Sequence, residues 1–270
     1  IYTVLVDLTG HLPLPLLDTL HGLIRSVPFA EYTPSHMVLL RGFSVAAIQA
    51  PANSLKVPRA YGFEELWQLM ADASPGSPEL RPSACTMLGE LCTWGPCVAQ
   101  RAPMLNKCME RVAASESVPQ TLRLCCKLLS SFPSKPRKKV ESITTMLEVL
   151  AEQRDLLQLF FADFARFHQA AAGRLRALEA ACEAACGGAR DDEARRDAAE
   201  ASLRELRTEH LHVLQERLDF LNFCIINAPL TLSQAQLDVL WDACVVDSCC
   251  PQEDGLVFQW LEQARSNSSH

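Results

Sequence analysis

One apolar stripe constrains this chain more than any other feature. Ile143, Met146, Leu147, Leu150, Leu157, Phe160, Phe161, Phe164, Phe167, Ala171, Leu175, Leu178 and Cys182 follow one another mostly by steps of three, four or seven. That is the repeat of one helix face, not of a strand. Unbroken, residues 143–182 would run ~60 Å. A compact chain of this length has a diameter near ~47 Å. The stripe therefore predicts either an elongated architecture or a protruding helix, with Gly173 as the candidate break.

The rest of the chain repeats the pattern in shorter pieces. Leu14-Leu17-Leu20-Leu23-Ile24 reads as a helix ended near Pro28, and Pro34 opens another that runs through Ile48. Phe63-Leu66-Trp67-Met70 is a third, and Pro75, Gly76, Pro78 and Pro82 mark a loop after it. Met87-Leu88-Leu91, Met104-Cys108-Met109-Val112 and Leu122-Leu124-Cys125-Leu128-Leu129 continue the series. A second long helix carries Leu203, Leu206, Val213, Leu214, Leu218, Leu221, Cys224 and Ile225. Thr231 with Gln234, or Ser233 with Gln236, can form a capping box ahead of a buried face of Leu237, Leu240, Trp241, Cys244 and Val245. Leu256, Phe258, Trp260 and Leu261 begin a terminal helix. No Asn-Gly or Asp-Gly hairpin turn separates alternating apolar runs.

About ten helices with short Pro-containing loops predict an all-α fold, an α-solenoid of degenerate armadillo- or HEAT-like repeats with one long helical hairpin. No fixed repeat period can be extracted, so a single large α bundle is the competing architecture. The expected organisation is helical repeats over 1–132, a basic Pro-containing linker over 133–142, a long hairpin over 143–228 with a charged tip near 187–200, and a C-terminal repeat over 229–270.

Charge narrows the partners. Lys plus Arg number 25 against 32 Asp plus Glu, a net charge of −7. That opposes specific nucleic-acid or anionic-membrane binding, both of which want a positive field. No apolar run reaches the roughly 18 residues of a spanning helix. The basic run Ser134-Lys135-Pro136-Arg137-Lys138-Lys139 reads as a solvated connector in preference to a nuclear-import signal. Expected partners are other proteins. A start at Ile1 reads as an internal piece of a longer protein.

The chemical motifs are missing. No glycine-rich phosphate loop, G-x-S-x-G elbow or H-E-x-x-H occurs. Twelve cysteines include no C-x-x-C pair, so spacing gives no zinc site, and most read as small hydrophobes on helix stripes. His210 and His212 lie about 200° apart on a helix and do not converge on one metal. The seven histidines read as exposed or boundary residues. Cys249 and Cys250 in a loop are the most reactive-looking thiols, without a marked His partner in sequence. No catalytic, cofactor-binding or metal-binding residue is assigned, and no cofactor is expected.

The C-terminal third carries a resemblance. Arg217-Leu-Asp-Phe220-Leu-Asn-Phe223, Leu230-Thr-Leu-Ser233, Leu237-Asp238-Val-Leu240-Trp241-Asp242, Cys244-Val245-Val246-Asp247 and Phe258-Gln-Trp260-Leu261 resemble a helical segment upstream of the catalytic domain in the very large ubiquitin-specific proteases, the fat-facets-like group. Phe160-Phe161-Ala-Asp163, Tyr61-Gly62-Phe63 and Arg41-Gly42-Phe43 are weaker echoes. Ala243 stands where that group usually has Cys. The resemblance implies a parent cysteine protease that removes ubiquitin from protein substrates. The expected compartment is the cytoplasm, with the nucleus as a second one. The group's Gly-Asn-x-Cys and Gly-His-Tyr boxes are not here, so its catalytic residues map onto nothing in this chain. The expected role is a non-catalytic scaffold or substrate-recruiting arm meeting protein partners or ubiquitinated substrates. The alternatives are an armadillo/HEAT-type adaptor with no deubiquitinase activity, and an unfamiliar enzyme using Cys249 or Cys250.

Overall fold

The computed structural model describes residues 2–49, 61–72, 74–133, 141–186, 193–228 and 230–267. Among these the secondary structure is helical throughout, with no strand. The basic run 135–139 and residues 187–192 of the expected charged tip lie outside the described residues. No described helix is long and apolar enough to cross a membrane. The chain divides into two compact units, 1–132 and 133–270.

The first unit holds α1 (Tyr2–Thr9), α2 (Leu14–Arg25), α3 (Pro34–Gln49), α4 (Phe63–Leu69), α5 (Leu80–Thr93), α6 (Arg101–Ala113) and α7 (Val118–Ser130). Pro82, expected in a loop, sits in the first turn of α5. A proline there removes an N–H that has no intrahelical acceptor anyway, so the helix tolerates it. Helix α5 packs against α3, α4, α6 and α7, and Leu40, Phe43, Leu66, Leu88, Leu105 and Leu128 are closed to solvent around it. Gly62 caps α4 at φ +80°, and a Cβ there would meet the Leu40 Cβ at 3.0 Å. Both facts demand glycine, which gives a physical reason for the Tyr61-Gly62-Phe63 run. The buried Glu65 is held by Arg25 at 2.8 Å and His21 at 3.5 Å. Arg111 lies over the Trp67 ring at 3.7 Å and donates to the Trp67 carbonyl.

The second unit holds α8 (Ile143–Arg154), α9 (Leu156–Cys186), α10 (Glu193–Asn227), α11 (Gln234–Trp241) and α12 (Glu253–Asn267). The long stripe breaks at Asp155, which takes φ 50° and donates its N–H to the Leu150 carbonyl. Asp tolerates this left-handed cap through its short polar side chain. Gly173 runs through the interior of α9 without a break, and that helix alone spans ~46 Å for its 31 residues. Residues 193–200, expected in the charged tip, are the first turns of α10. Their Ala, Glu and Arg are strong helix formers.

Helices α9 and α10 run antiparallel, as successive contacts show. Phe160 stacks on Phe220 at 6.1 Å, Asp163 pairs with Arg217, Phe167 stacks on His210 at 5.0 Å, and Glu179 pairs with Arg207 at 2.7 Å. Helix α8 packs on both, and α12 lies against α10.

Two capping boxes were open ahead of α11, and the structure selects Ser233 with Gln236. The Ser233 hydroxyl accepts from the Gln236 N–H at 3.3 Å, and the Gln236 side chain accepts from the Ser233 N–H at 2.9 Å. Ser233→Ala is expected to cost about 1 kcal/mol, read as a lower urea midpoint. Thr231→Ala is expected to stay within about 0.5 kcal/mol. Beyond α11 the chain closes a π turn over Asp242–Val246, with the Asp247 N–H reaching the Asp242 carbonyl at 2.7 Å.

Candidate functional site

Helix α9 buries Phe160, Phe164, Ala172 and Leu175, and His168 occupies the slot between Phe164 and Ala172 on that face. On α10, His210 sits four residues after Leu206 and four before the buried Leu214. Two slots of the apolar seam are therefore filled by imidazoles. They are 6% and 4% exposed, which corrects the expectation that these histidines lie at the surface or its boundary. His36 is buried as well, where its Nδ1 accepts from the Thr33 N–H at 3.0 Å. His212 does point away, at 63% side-chain exposure.

The turn after the π segment brings two more groups to the same place. Glu253, the first residue of α12, is 0% exposed, and Cys249 lies four residues before it. The Cys249 Sγ is 3.5 Å from His168 Nε2, 3.7 Å from His210 Nε2 and 3.0 Å from Glu253 Oε1. Glu253 Oε1 also contacts His210 Nε2, while its Oε2 is 3.4 Å from His168 Nε2 and accepts from the Cys249 N–H at 2.9 Å. The four ligand-type atoms all lie within 4.8 Å of one another. His210 Nδ1 has no hydrogen-bond partner, so the ring's polar contacts all run through Nε2 into the cluster. Cys249 thus has two histidine partners, which nothing in its local sequence marked.

Electrostatics fix what the cluster can do. Burial alone would push the Glu253 carboxyl up. Hydrogen bonds from His168, His210 and Cys249 outweigh it and hold the group well below the usual carboxylate range. Burial, then the Glu253 carboxylate, pushes the Cys249 thiol well above its ordinary range. Burial likewise lifts the thiols of Cys244 to about 12 and Cys250 to about 11. A carboxylate against the sulfur opposes the thiolate that nucleophilic catalysis needs. The set nonetheless offers two nitrogens, one sulfur and one carboxylate oxygen, a donor set that a divalent transition metal takes. Elsewhere among the described residues the cysteines form no disulfide, and most of them are buried on the helices.

A second feature of the same unit is apolar. Trp241, expected in the buried face of α11, is 45% exposed, and it meets Phe258, also 45% exposed, edge to face at 5.9 Å. Leu240 and Cys244 take the buried face instead. A cleft of about 420 Å³ opens between α11 and α12, lined by Leu237, Trp241, Val257, Trp260 and Leu261. Asp238, Asp242, Asp254 and Glu262 stand exposed on these elements.

A family model described as the UBP24/USP9X/USP9Y ARM repeat matches residues 86–270, more than half of the chain. The matched part contains the cluster and the cleft. Armadillo repeats are helical repeats of the α-solenoid class. No curated protein and no solved structure matches the chain.

Proposed function

The chain belongs to the UBP24/USP9X/USP9Y ARM repeat family, and we propose on that footing that it is a non-catalytic arm of a large cysteine-type ubiquitin-specific protease, which recruits protein substrates for the removal of ubiquitin. Repeat stacks of this kind generally serve as surfaces for other proteins. The observation that carries the reading is the family match, which includes the Leu237–Asp247 run.

The chemistry of the second unit fits such a role. Trp241 and Phe258 put aromatic area in solvent, and exposed aromatic residues beside an apolar cleft are typical anchors for a protein partner. The surrounding carboxylates suit a partner segment whose apolar side chains are flanked by Lys or Arg. Burial and the Glu253 carboxylate oppose the Cys249 thiolate, which suits a segment that is not the one carrying the nucleophile.

The reading frame downstream of this segment tests the proposal. A Gly-Asn-x-Cys box followed by a Gly-His-Tyr box is expected there. A frame that closes without either box contradicts a deubiquitinase parent and leaves the armadillo adaptor.

A further inference from the structure

We propose that His168, His210, Cys249 and Glu253 form a structural zinc site that pins the start of α12 to the α9–α10 pair. The inference stands on the cluster's geometry and does not depend on the deubiquitinase reading.

Three of the separations match a tetrahedral donor set, while Glu253 Oε1 sits closer to His210 Nε2 than a tetrahedral edge allows and would have to move away as an ion entered. Zinc binds nitrogen at ~2.0–2.1 Å and sulfur at ~2.3 Å, so a tetrahedron has nitrogen–sulfur edges of roughly 3.5 Å and nitrogen–oxygen edges of roughly 3.3 Å. The observed nitrogen–sulfur separations are 3.5 and 3.7 Å, and His168 Nε2 to Glu253 Oε2 is 3.4 Å. Glu253 Oε1 lies nearer to the sulfur, at 3.0 Å, so the carboxylate engages through Oε2 or turns outward slightly.

Donor chemistry selects the metal. Calcium and magnesium want oxygen, and copper(I) wants thiolate or thioether sulfur. Two imidazoles with one thiolate and one carboxylate suit zinc. Four protein ligands also leave no open position, the mark of a structural rather than a catalytic site. The charges close too. One thiolate and one carboxylate cancel a divalent ion, and the imidazoles are neutral, so the buried centre carries no net charge. As the sulfur–zinc bond forms, the Cys249 thiol releases its proton to water.

The location gives the ion work to do. The two histidines come from the paired long helices, and the other two ligands from a turn and a helix start far along the chain, 39 to 85 residues away. The Cys249 N–H donates to the Glu253 carboxylate at 2.9 Å and orients it, as outer hydrogen bonds do at metal sites. A single ion thus fixes the turn that presents α12, and with it one wall of the Trp241 cleft.

The test uses the full 270-residue chain, expressed with zinc and dialysed into metal-free buffer. Elemental analysis is expected to find one zinc per chain, and chelation to lower the melting temperature. Cobalt substitution is expected to produce tetrahedral visible bands and a thiolate-to-cobalt charge-transfer band. Cys249→Ser should abolish that charge-transfer band and weaken zinc binding more than about ten-fold, with Glu253→Gln weakening it similarly. If Cys249→Ser fails to fold, the wild-type charge-transfer band carries the test. The metal-free alternative is a carboxylate that accepts four hydrogen bonds. It predicts a helical, folded chain that takes up neither zinc nor cobalt, and that result overturns the proposal. A cobalt spectrum unchanged in folded Cys249→Ser overturns it as well.

Discussion

Arg217→Met is expected to destabilise the chain by about 3–5 kcal/mol. Arg217 and Asp163 are 4% and 2% exposed, and both Nε and Nη2 donate to the same Asp163 oxygen at 3.0 and 2.9 Å. The guanidinium also lies over the Phe167 ring at 4.1 Å. Removing the cation leaves a carboxylate in the α9–α10 seam with neither water nor a partner charge. The combined Asp163→Leu and Arg217→Met replacement removes both charges and is expected to recover most of the loss. The exposed pair Arg174–Glu209, at 3.8 Å and 63% exposure on each side, is the internal control. Arg174→Ala should cost no more than about 1 kcal/mol. Urea unfolding followed by helical circular dichroism reads all three variants. A loss for Arg217→Met no larger than that of the exposed pair would mean that the seam is open to water.

Phe164→Ala carries the second large effect, about 3–5 kcal/mol. The side chain is fully buried and stacks against Phe160 at 6.2 Å, which in turn stacks on Phe220 across the seam. The deletion leaves a void between two long helices that other contacts hold in place, so the seam cannot collapse to fill it. A thermal melt is the direct measurement. A shift as small as that of a surface substitution would place Phe164 outside the core.

The helices were legible because their signal is local. Burial of every third or fourth residue writes the 3.6 period into the chain, and Pro, Gly and the Ser233-Gln236 cap punctuate it within a few residues. The break at Asp155 was not legible, because the apolar steps cross it in phase. Only the left-handed backbone of that one residue ends α8. The position of Trp241 was missed for a related reason. Its spacing fits the buried face, but Leu240 and Cys244 take that face and leave Trp241 45% exposed.

The polar cluster shows where local reading stops. His210 and His212 diverge as helix geometry dictates, one buried and one exposed. The partners of His210 lie 39 and 43 residues further on, and His168 stands on another helix. One signal was available. His168 and His210 each hold an apolar slot of a long amphipathic stripe. A histidine kept in such a slot on each of two paired helices asks for buried partners. Naming Cys249 and Glu253 as those partners required the fold.

The chain belongs to an armadillo-repeat family, and the proposed scaffold role requires that its thiols do no chemistry on ubiquitin. The direct measurement is cleavage of a ubiquitin–fluorophore substrate by the purified chain at neutral pH. The account predicts no release of fluorophore above the buffer rate, and the same flat trace for Cys249→Ser and Cys250→Ser. Robust turnover by the wild-type chain that disappears in either serine variant would contradict it.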